Sequence, residues 1–425
     1  MERGADNLHA QVGSARPYRF LSGANPALHN GLGCSKASSP KSQMNAPDFD
    51  LQRVTTPAYV VDLSLLKKNV ELLGQVQAAA GCKVLLALKG FAMFSTFPLV
   101  KQYLSGCCAS GLHEALLARK EFDKEVHVYS PGFKPEEMEQ IIPIADHISF
   151  NSLRQWQQFK PMLEAAPKAP SPGLRVNPEY SEVEVELYNP CSPGCRLGTR
   201  DVEMEGADLS GLEGLHFHAL CEQNSDTLER VLESVEKRFP KFLKQVKWVN
   251  MGGGHHITKP GYDIDRLVRI VKSFRERHGV DVYLEPGEAI GLNTGWLITS
   301  VLDIVGVGEQ TLILDTSATC HMPDVLEMPY RPQIIGAGQP GEFAHTYKLG
   351  GTSCLAGDVI GSYSFPKPVE VGQKLIFTDM AHYTMVKTTT FNGVPHPDID
   401  TYDPITDELR VVRRFGYEDF RNRLS

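Results

Sequence analysis

The sequence predicts an α/β protein: a (β/α)8 barrel followed by an all-β domain. Three observations carry this. Between Val84 and Glu285, short apolar runs alternate eight times with helix-compatible segments, the length and rhythm of a barrel of parallel strands. After about Gly291 the rhythm changes to short β-rich runs separated by Gly- and Pro-rich turns, which reads as a second, all-β layer. The chain is 42% hydrophobic and 22% charged over 425 residues, ordinary globular values that allow a large core. A doubly wound open sheet is the competing architecture for the alternating part.

Taken in order, residues 1–48 are rich in Gly, Ala, Ser, Asn and Pro without sustained periodicity, and are expected to form a disordered tail. Arginine and serine there would suit a transit peptide, but Glu2 and Asp6 argue against one. Met44 is an alternative start. Barrel residues are expected over 49–290. The run Ala58–Asp62 reads as a strand that could join the β domain, and Ser64 as the N-cap of a helix over Leu65–Ala80. The barrel strands are expected at Val84–Lys89, Cys107–Ser110, Val126–Ser130, His147–Phe150, Gly173–Asn177, Leu215–Leu220, Val246–Met251 and Asp281–Glu285. Helices are expected at Leu112–Glu121, Pro135–Ile142, Ser152–Glu164, Ser225–Arg238 and Asp263–His278, and a loop insertion carries Cys191-Ser-Pro-Gly-Cys195. The β domain is expected over 291–425, with β-rich runs at Trp296–Val305, Thr311–Asp315, Lys374–Asp379 and Thr384–Phe391.

Several classes are excluded or disfavoured. A net charge of -8 argues against a nucleic-acid binder. No apolar run approaches the ~18 residues that a membrane span needs, and the N-terminus lacks a secretory core. Nine cysteines are scattered without a framework, so a reduced, cytoplasmic compartment is expected. The spacings of Cys191/Cys195 and Cys107/Cys108 do not suit a closed zinc site, and His255 and His256 have no third ligand at matching spacing; no metal is expected.

The residues that could carry chemistry fall at the C-terminal ends of the expected barrel strands, where barrel enzymes build their sites. Lys89 ends an apolar run and is either a snorkelling lysine or an amine made nucleophilic by burial. Gly252-Gly253-Gly254 is either a tight turn or a loop whose N–H groups approach an anion. Glu285 is either a strand-end ion-pair partner or a carboxylate for a protonated ring nitrogen. His218 is either a core histidine or a face for a planar ligand, with His216 as its competitor. In the β domain, Cys354 and Asp358 lie in a Gly-rich polar loop, Tyr383 offers a hydroxyl for a phosphate, and Asp324 falls in an expected loop. Together, a reactive lysine, a phosphate loop, a stacking ring and a carboxylate are the parts that pyridoxal phosphate requires.

The order of these motifs resembles the alanine-racemase/ornithine-decarboxylase group of pyridoxal-phosphate enzymes, from about Pro57 to beyond Gly393. Within it, the carboxynorspermidine/carboxyspermidine decarboxylase family is the nearest resemblance. The phrases that carry it are Ala87-Leu-Lys89-Gly, Cys108-Ala-Ser-Gly-Leu-His-Glu114, Phe217-His218-Ala-Leu-Cys-Glu222, Met251-Gly-Gly-Gly-His255, Leu284-Glu-Pro-Gly-Glu-Ala289, Gly351-Thr-Ser-Cys354 and Tyr383. The resemblance implies an alanine-racemase-like architecture (pyridoxal-phosphate fold type III) and a homodimer in which Cys354 and Asp358 reach the partner's site. It implies that Lys89 carries the cofactor as a Schiff base, that Gly252–Gly254 and Tyr383 hold the phosphate, that Glu285 pairs with the ring nitrogen, that His218 stacks on the ring, and that Cys354 supplies the proton after carbon dioxide leaves.

The chemistry agrees. An acidic partner keeps the ring nitrogen protonated and deepens the electron sink, which suits decarboxylation over racemisation. The remote end of a carboxylated polyamine carries ammonium groups, for which Glu288, Asp324 and Asp358 are the candidate partners. Glu288 stands where ornithine and diaminopimelate decarboxylases usually have an arginine. Those enzymes and arginine decarboxylase are the alternatives within the fold; a non-catalytic pyridoxal-phosphate regulator is the alternative outside catalysis.

Overall fold

The computed structural model describes residues 44–425, so the expected tail lies outside the described residues up to residue 43. Residues 44–48, expected in that tail, are described, and Met44 at their start is buried. Met44 and Phe49 are buried against Trp296 and Tyr402, and Trp296 Nε1 donates to Asn45 O at 3.0 Å. Two apolar side chains bracketing the segment give it something to bury, which composition alone concealed.

The strands, in chain order, are β1 (Ala58–Asp62), β2 (Lys83–Ala87), β3 (Gly106–Ala109), β4 (Glu125–Tyr129), β5 (His147–Phe150), β6 (Ser171–Arg175), β7 (Gly214–His216), β8 (Trp248–Asn250) and β9 (Asp281–Leu284). They continue with β10 (Gly295–Val305), β11 (Gln310–Leu314), β12 (His345–Gly350), β13 (Val359–Phe365), β14 (Lys374–Thr378), β15 (Asp398–Asp403) and β16 (Glu408–Arg413). Strands β2 to β9 close into an all-parallel barrel, β9 pairing with β2. The rest form one mixed sheet in the order β13-β12-β11-β10-β1-β15-β16, with β14 also paired to β10. The first strand therefore joins the C-terminal sheet, antiparallel to β10 and parallel to β15.

The helix over Leu63–Ala80 buries Leu66, Val70, Leu73, Val76 and Ala80, spaced three or four apart along one face. Its cap is Asp62 rather than Ser64. The Asp62 carboxylate accepts from the N–H of Ser64 (2.8 Å) and of Leu65 (3.0 Å), and Ser64 itself donates its hydroxyl to Asp62. Helices at Leu153–Ala165, Ser225–Arg238 and Ile264–His278 cover the barrel in the same way. Each fully buried Leu, Val or Phe in these faces contributes about 1.5–3 kcal/mol relative to exposure.

The N-terminal pole of the barrel is plugged by side chains from the first residues of its strands. Gly173 and Gly214 make room for the Trp248 ring, since a Cβ on either would lie 2.4 or 1.9 Å from it. His127 and His147 stack beside Trp248 with ring centroids 4.0 Å apart. Their planes are within 16° of parallel, and Glu125 lies close by, its ligating atom within 4.8 Å of theirs.

The segment Thr384–Phe391 is not a strand. Tyr383 N–H donates to Gly90 O and Lys387 N–H to Tyr383 O, coiling a threonine-rich run whose propensity is β. Asp324 opens a helical turn, Asp324–Glu327, not a loop. Among the described residues, no helix is long and apolar enough to cross a membrane.

Candidate active site

The open pole collects the C-terminal ends of β2, β7, β8 and β9. Lys89 lies two residues past β2, in a turn completed by Gly90. That turn packs on the loop after β9: a Cβ on Gly90 would lie 2.8 Å from the Gly287 Cα. Tyr383, with a φ of 34°, donates its N–H to Gly90 O at 2.8 Å. One close approach therefore joins Lys89, the Glu285-Pro-Gly-Glu288 loop and Tyr383. Lys89 also lies within electrostatic reach of Cys108, His218 and Cys221.

The triple glycine is built against the backbone that follows β7 and β9. A Cβ would lie 2.4 Å from Phe217 O at Gly252, 2.5 Å from Glu285 O at Gly253, and 2.0 Å from Leu220 O at Gly254. Gly252 and Gly254 also hold φ of 69° and 83°, which glycine adopts at little cost. Two of the amides are used within the protein: Gly252 N–H donates to Asn250 Oδ1 and Gly253 N–H to His218 Nδ1, each at 2.9 Å. An anion bound to this loop would rely on Gly254.

That second bond fixes His218. A backbone N–H can only donate, so Nδ1 accepts and the neutral ring carries its proton on Nε2. Burial, then the nearby Lys89 and Arg175 cations, push its pKa well down, so the ring is an uncharged plane. His216, the competitor, belongs to the barrel interior: it is buried, lies edge-on to Tyr129 with centroids 5.3 Å apart, and its Nε2 is 3.5 Å from Glu285. Burial lowers its pKa against the pull of Glu285.

Glu285 follows β9 directly. Asn250 Nδ2 donates to its Oε1 at 2.6 Å. Burial pushes its pKa up, but His216 and Asn250 outweigh this and hold it at about 2. It is a buried anion at the barrel mouth. Glu288, three residues on, lies 3.3 Å from His256 Nε2. Burial opposes its ionisation, and His256 and His382 overcome this and lower its pKa. His382 is bonded to Asp379 at 3.1 Å; burial would lower its pKa, yet Asp379, Glu288 and Glu222 raise it to about 9, making it a cation. The ligating atoms of Glu222, His256 and Glu288 all lie within 4.8 Å of one another. Spacing could not reveal this, because the three come from separate loops.

Asp324 is ion-paired to Lys387, which also bonds Glu327 at 2.5 Å. Cys354 and Asp358 are held elsewhere, on the loop between β12 and β13. Asp358 is buried, with Ser317 and Ser353 hydroxyls on one oxygen (2.8 and 2.6 Å) and the Thr319 N–H on the other (3.1 Å). Both oxygens accept bonds within the chain, so Asp358 ties down the Cys354 loop. Cys354 is the exposed cysteine among the described residues.

Sequence reasoning missed Asn250, Arg175 and Tyr129. Each is the last residue of its barrel strand, the position that faces a barrel mouth, and that was the available signal. Arg175 is 5% exposed, its guanidinium 4.3 Å from the Tyr129 ring centroid, and its Nε has no hydrogen-bond partner. The thiols of Cys108 and Cys221, both raised in pKa first by burial (Cys221 to about 11), were also missed as neighbours of Lys89.

This constellation fits pyridoxal phosphate. Its glycine cradle would be filled by any Cβ, a buried guanidinium is left with an unpartnered Nε, and a buried anion stands ready for a protonated ring nitrogen. Lys89 would hold the aldehyde carbon, Gly254 and Tyr383 the phosphate, His218 the ring face and Glu285 the ring nitrogen.

Comparison with known proteins agrees. The family described as pyridoxal-dependent decarboxylase, C-terminal sheet domain, matches residues 58–381. A carboxynorspermidine/carboxyspermidine decarboxylase of Campylobacter jejuni is 46% identical over 385 residues, 88% of this chain and 99% of that protein. A carboxyaminopropylagmatine decarboxylase of Synechocystis sp. is 48% identical over 378 residues, covering 88% and 97%. The crystal structure of carboxynorspermidine decarboxylase complexed with norspermidine, from Campylobacter jejuni, superposes with a TM-score of 0.80 at 45% identity, covering 87% of this chain and all of that one. Sequence, barrel and mouth thus lead to one conclusion: the chain belongs to the pyridoxal-dependent decarboxylases.

Proposed function

We propose that the protein decarboxylates a carboxylated polyamine, carboxynorspermidine or carboxyspermidine, to norspermidine or spermidine. The observation that carries this is Glu288: a half-buried, ionised carboxylate beside His256, immediately after the loop that bears Glu285. A cationic polyamine tail is stabilised there, and a second substrate carboxylate is repelled. Near-full-length likeness to a relative named for these substrates supports it. Asp324, already paired with Lys387, is the weaker candidate for a substrate amine. The Synechocystis relative favours a second reading, carboxyaminopropylagmatine, whose guanidinium would use the same acidic surroundings.

Bound pyridoxal phosphate supplies the electron sink for the pair left when the bond to the carboxylate breaks. The residues prepare that step. Lys89 would hold the aldehyde carbon of the cofactor beside the incoming substrate amine. Glu285, anionic across the physiological range, keeps a proton at the ring nitrogen. Neutral His218 covers the ring face without adding charge. Arg175 adds positive charge at the mouth. Cys354, from the partner in a homodimer, would return a proton to the carbon that lost carbon dioxide. Replacement of Glu288 by Arg tests the substrate reading: the KM for the polyamine substrate should rise about tenfold or more, in line with the ~1.5–3 kcal/mol of a charged hydrogen bond. An unchanged KM would sink it.

A further inference from the structure

Cys354 does not stand alone on its loop. Its backbone N–H donates to Asn392 Oδ1 at 2.8 Å, and its Sγ lies 2.9 Å from the same atom. The first contact identifies the second. A backbone amide can only donate, so the atom it meets is the Asn392 oxygen and not the side-chain nitrogen. Sulfur so close to an oxygen lone pair must then present its S–H bond to it. One oxygen thus takes both protons that Cys354 offers, and the thiol has a fixed direction.

The placing of Asn392 is itself specific. It has a φ of 58°, followed by Gly393 at 74°. Asparagine is one of few residues with a side chain that tolerate this conformation. The segment is 38 residues from Cys354 in sequence, and is anchored separately: Thr389 N–H donates to Cys320 O, and Gly393 N–H to Thr390 O. Asp358 fixes the other side of the Cys354 loop through Ser353 and Ser317. The thiol is therefore held between two independent anchors, Asp358 on the neighbouring Ser353 and Asn392 on the Cys354 backbone N–H and sulfur.

We infer that Asn392 is a positioning residue that orients the Cys354 S–H for proton delivery. The inference rests on the proposed role of Cys354 as proton donor. In the step it serves, the S–H bond breaks and a C–H bond forms at the carbon that has lost carbon dioxide. The electron pair of that carbon takes the proton, and sulfur keeps its own pair as a thiolate. The thiolate regains a proton from water before the next turnover. The Asn392 Oδ1 can only accept, so it fixes the S–H direction and leaves Cys354 as the source of the proton. A carboxylate in its place would still accept from the S–H but would oppose the thiolate that must form. An alanine would leave the S–H undirected. A proton that failed to reach the substrate carbon would leave an aldehyde in place of the product amine, the amino group passing to the bound cofactor.

Two measurements test this. The first is the rate at which iodoacetamide alkylates Cys354, followed by mass spectrometry on the full-length protein with and without cofactor. Asn392→Asp, which keeps an acceptor and suits the same backbone, should slow alkylation by about tenfold, the factor for about 1.4 kcal/mol of added repulsion. Asn392→Ala should speed it several-fold. The second is the fraction of turnovers that end in aldehyde, which should rise in Asn392→Asp, Asn392→Ala and Cys354→Ala alike, whereas a merely structural role would lower total turnover without changing that fraction. Alkylation rates within twofold of wild type in both Asn392 variants overturn the inference. A Cys354→Ala enzyme whose aldehyde fraction matches wild type overturns the proton-donor reading beneath it, so the two failures are read from different data.

Discussion

Glu285→Gln isolates charge from shape. Glutamine keeps the volume and can still accept from Asn250 Nδ2, now 2.6 Å from the carboxylate, but it cannot be an anion. The side chain is 12% exposed, so solvent screens it little. Its pKa is held at about 2 instead of 4.5, His216 and Asn250 outweighing the burial that opposes ionisation. A charged hydrogen bond to this anion is preferred over one to a neutral amide by about 1.5–3 kcal/mol. A protonated ring nitrogen drawing on that preference in the transition state loses about one to two orders of magnitude in kcat when the charge is removed. The sign fixes the pH behaviour. A depressed carboxylate is fully ionised above its free value, and its contribution fades only as pH falls through 4.5 towards 2. The ratio of wild-type to variant kcat should therefore be flat between about pH 6 and 9. The assay is carbon dioxide release at saturating substrate, with cofactor content read from its absorbance. A cofactor-loaded variant within threefold of wild type, or a ratio that varies strongly over that pH range, would refute the reasoning.

Two further outcomes follow from the geometry. Gly254→Ala would place a Cβ 2.0 Å from Leu220 O at a φ of 83°, so the loop must move; cofactor affinity measured by fluorescence titration should fall at least about tenfold, and an affinity within twofold of wild type would count against this loop as the phosphate cradle. His382 has a pKa raised to about 9, Asp379 overcoming the burial that would lower it. A raised base stabilises the fold fully below its free value of 6.5 and loses that contribution as pH rises through 9, so the melting-temperature gap between wild type and Asp379→Asn should be widest below about pH 6.5 and close by about pH 10; a gap independent of pH would contradict the pairing.

The eight barrel strands were legible because parallel strands buried on both faces read as short apolar runs. Their ends were not. The run Leu215–Leu220 looks like one strand, yet β7 stops at His216. Phe217, Ala219 and Leu220 are buried because their backbone packs against the triple glycine, and burial of a loop looks like burial of a strand. Lys89 and Glu285 likewise fall just past their strands, where they are free to turn into the mouth. Much of the β domain was missed. Strands β12 and β15 join the sheet through parallel pairing with β11 and β1 across long sequence separations, and their hairpin partners β13 and β16 carry polar residues that blur the period. The site was legible where a motif concentrates its residues. It was not where single polar residues such as Asn250, Arg175 and Asn392 arrive from separate segments, or where Asp358 is drawn inward by two serines.

The central claim is a pyridoxal-phosphate decarboxylase selective for a carboxylated polyamine. Carbon dioxide release by the purified protein tests it most directly, with carboxynorspermidine, carboxyspermidine, carboxyaminopropylagmatine, diaminopimelate, ornithine and arginine offered in turn and Lys89→Ala as the blank. Release from carboxynorspermidine or carboxyspermidine, with none from diaminopimelate, ornithine or arginine, is the predicted result. Release from diaminopimelate or ornithine in their place would keep the cofactor chemistry and contradict the role given to Glu288.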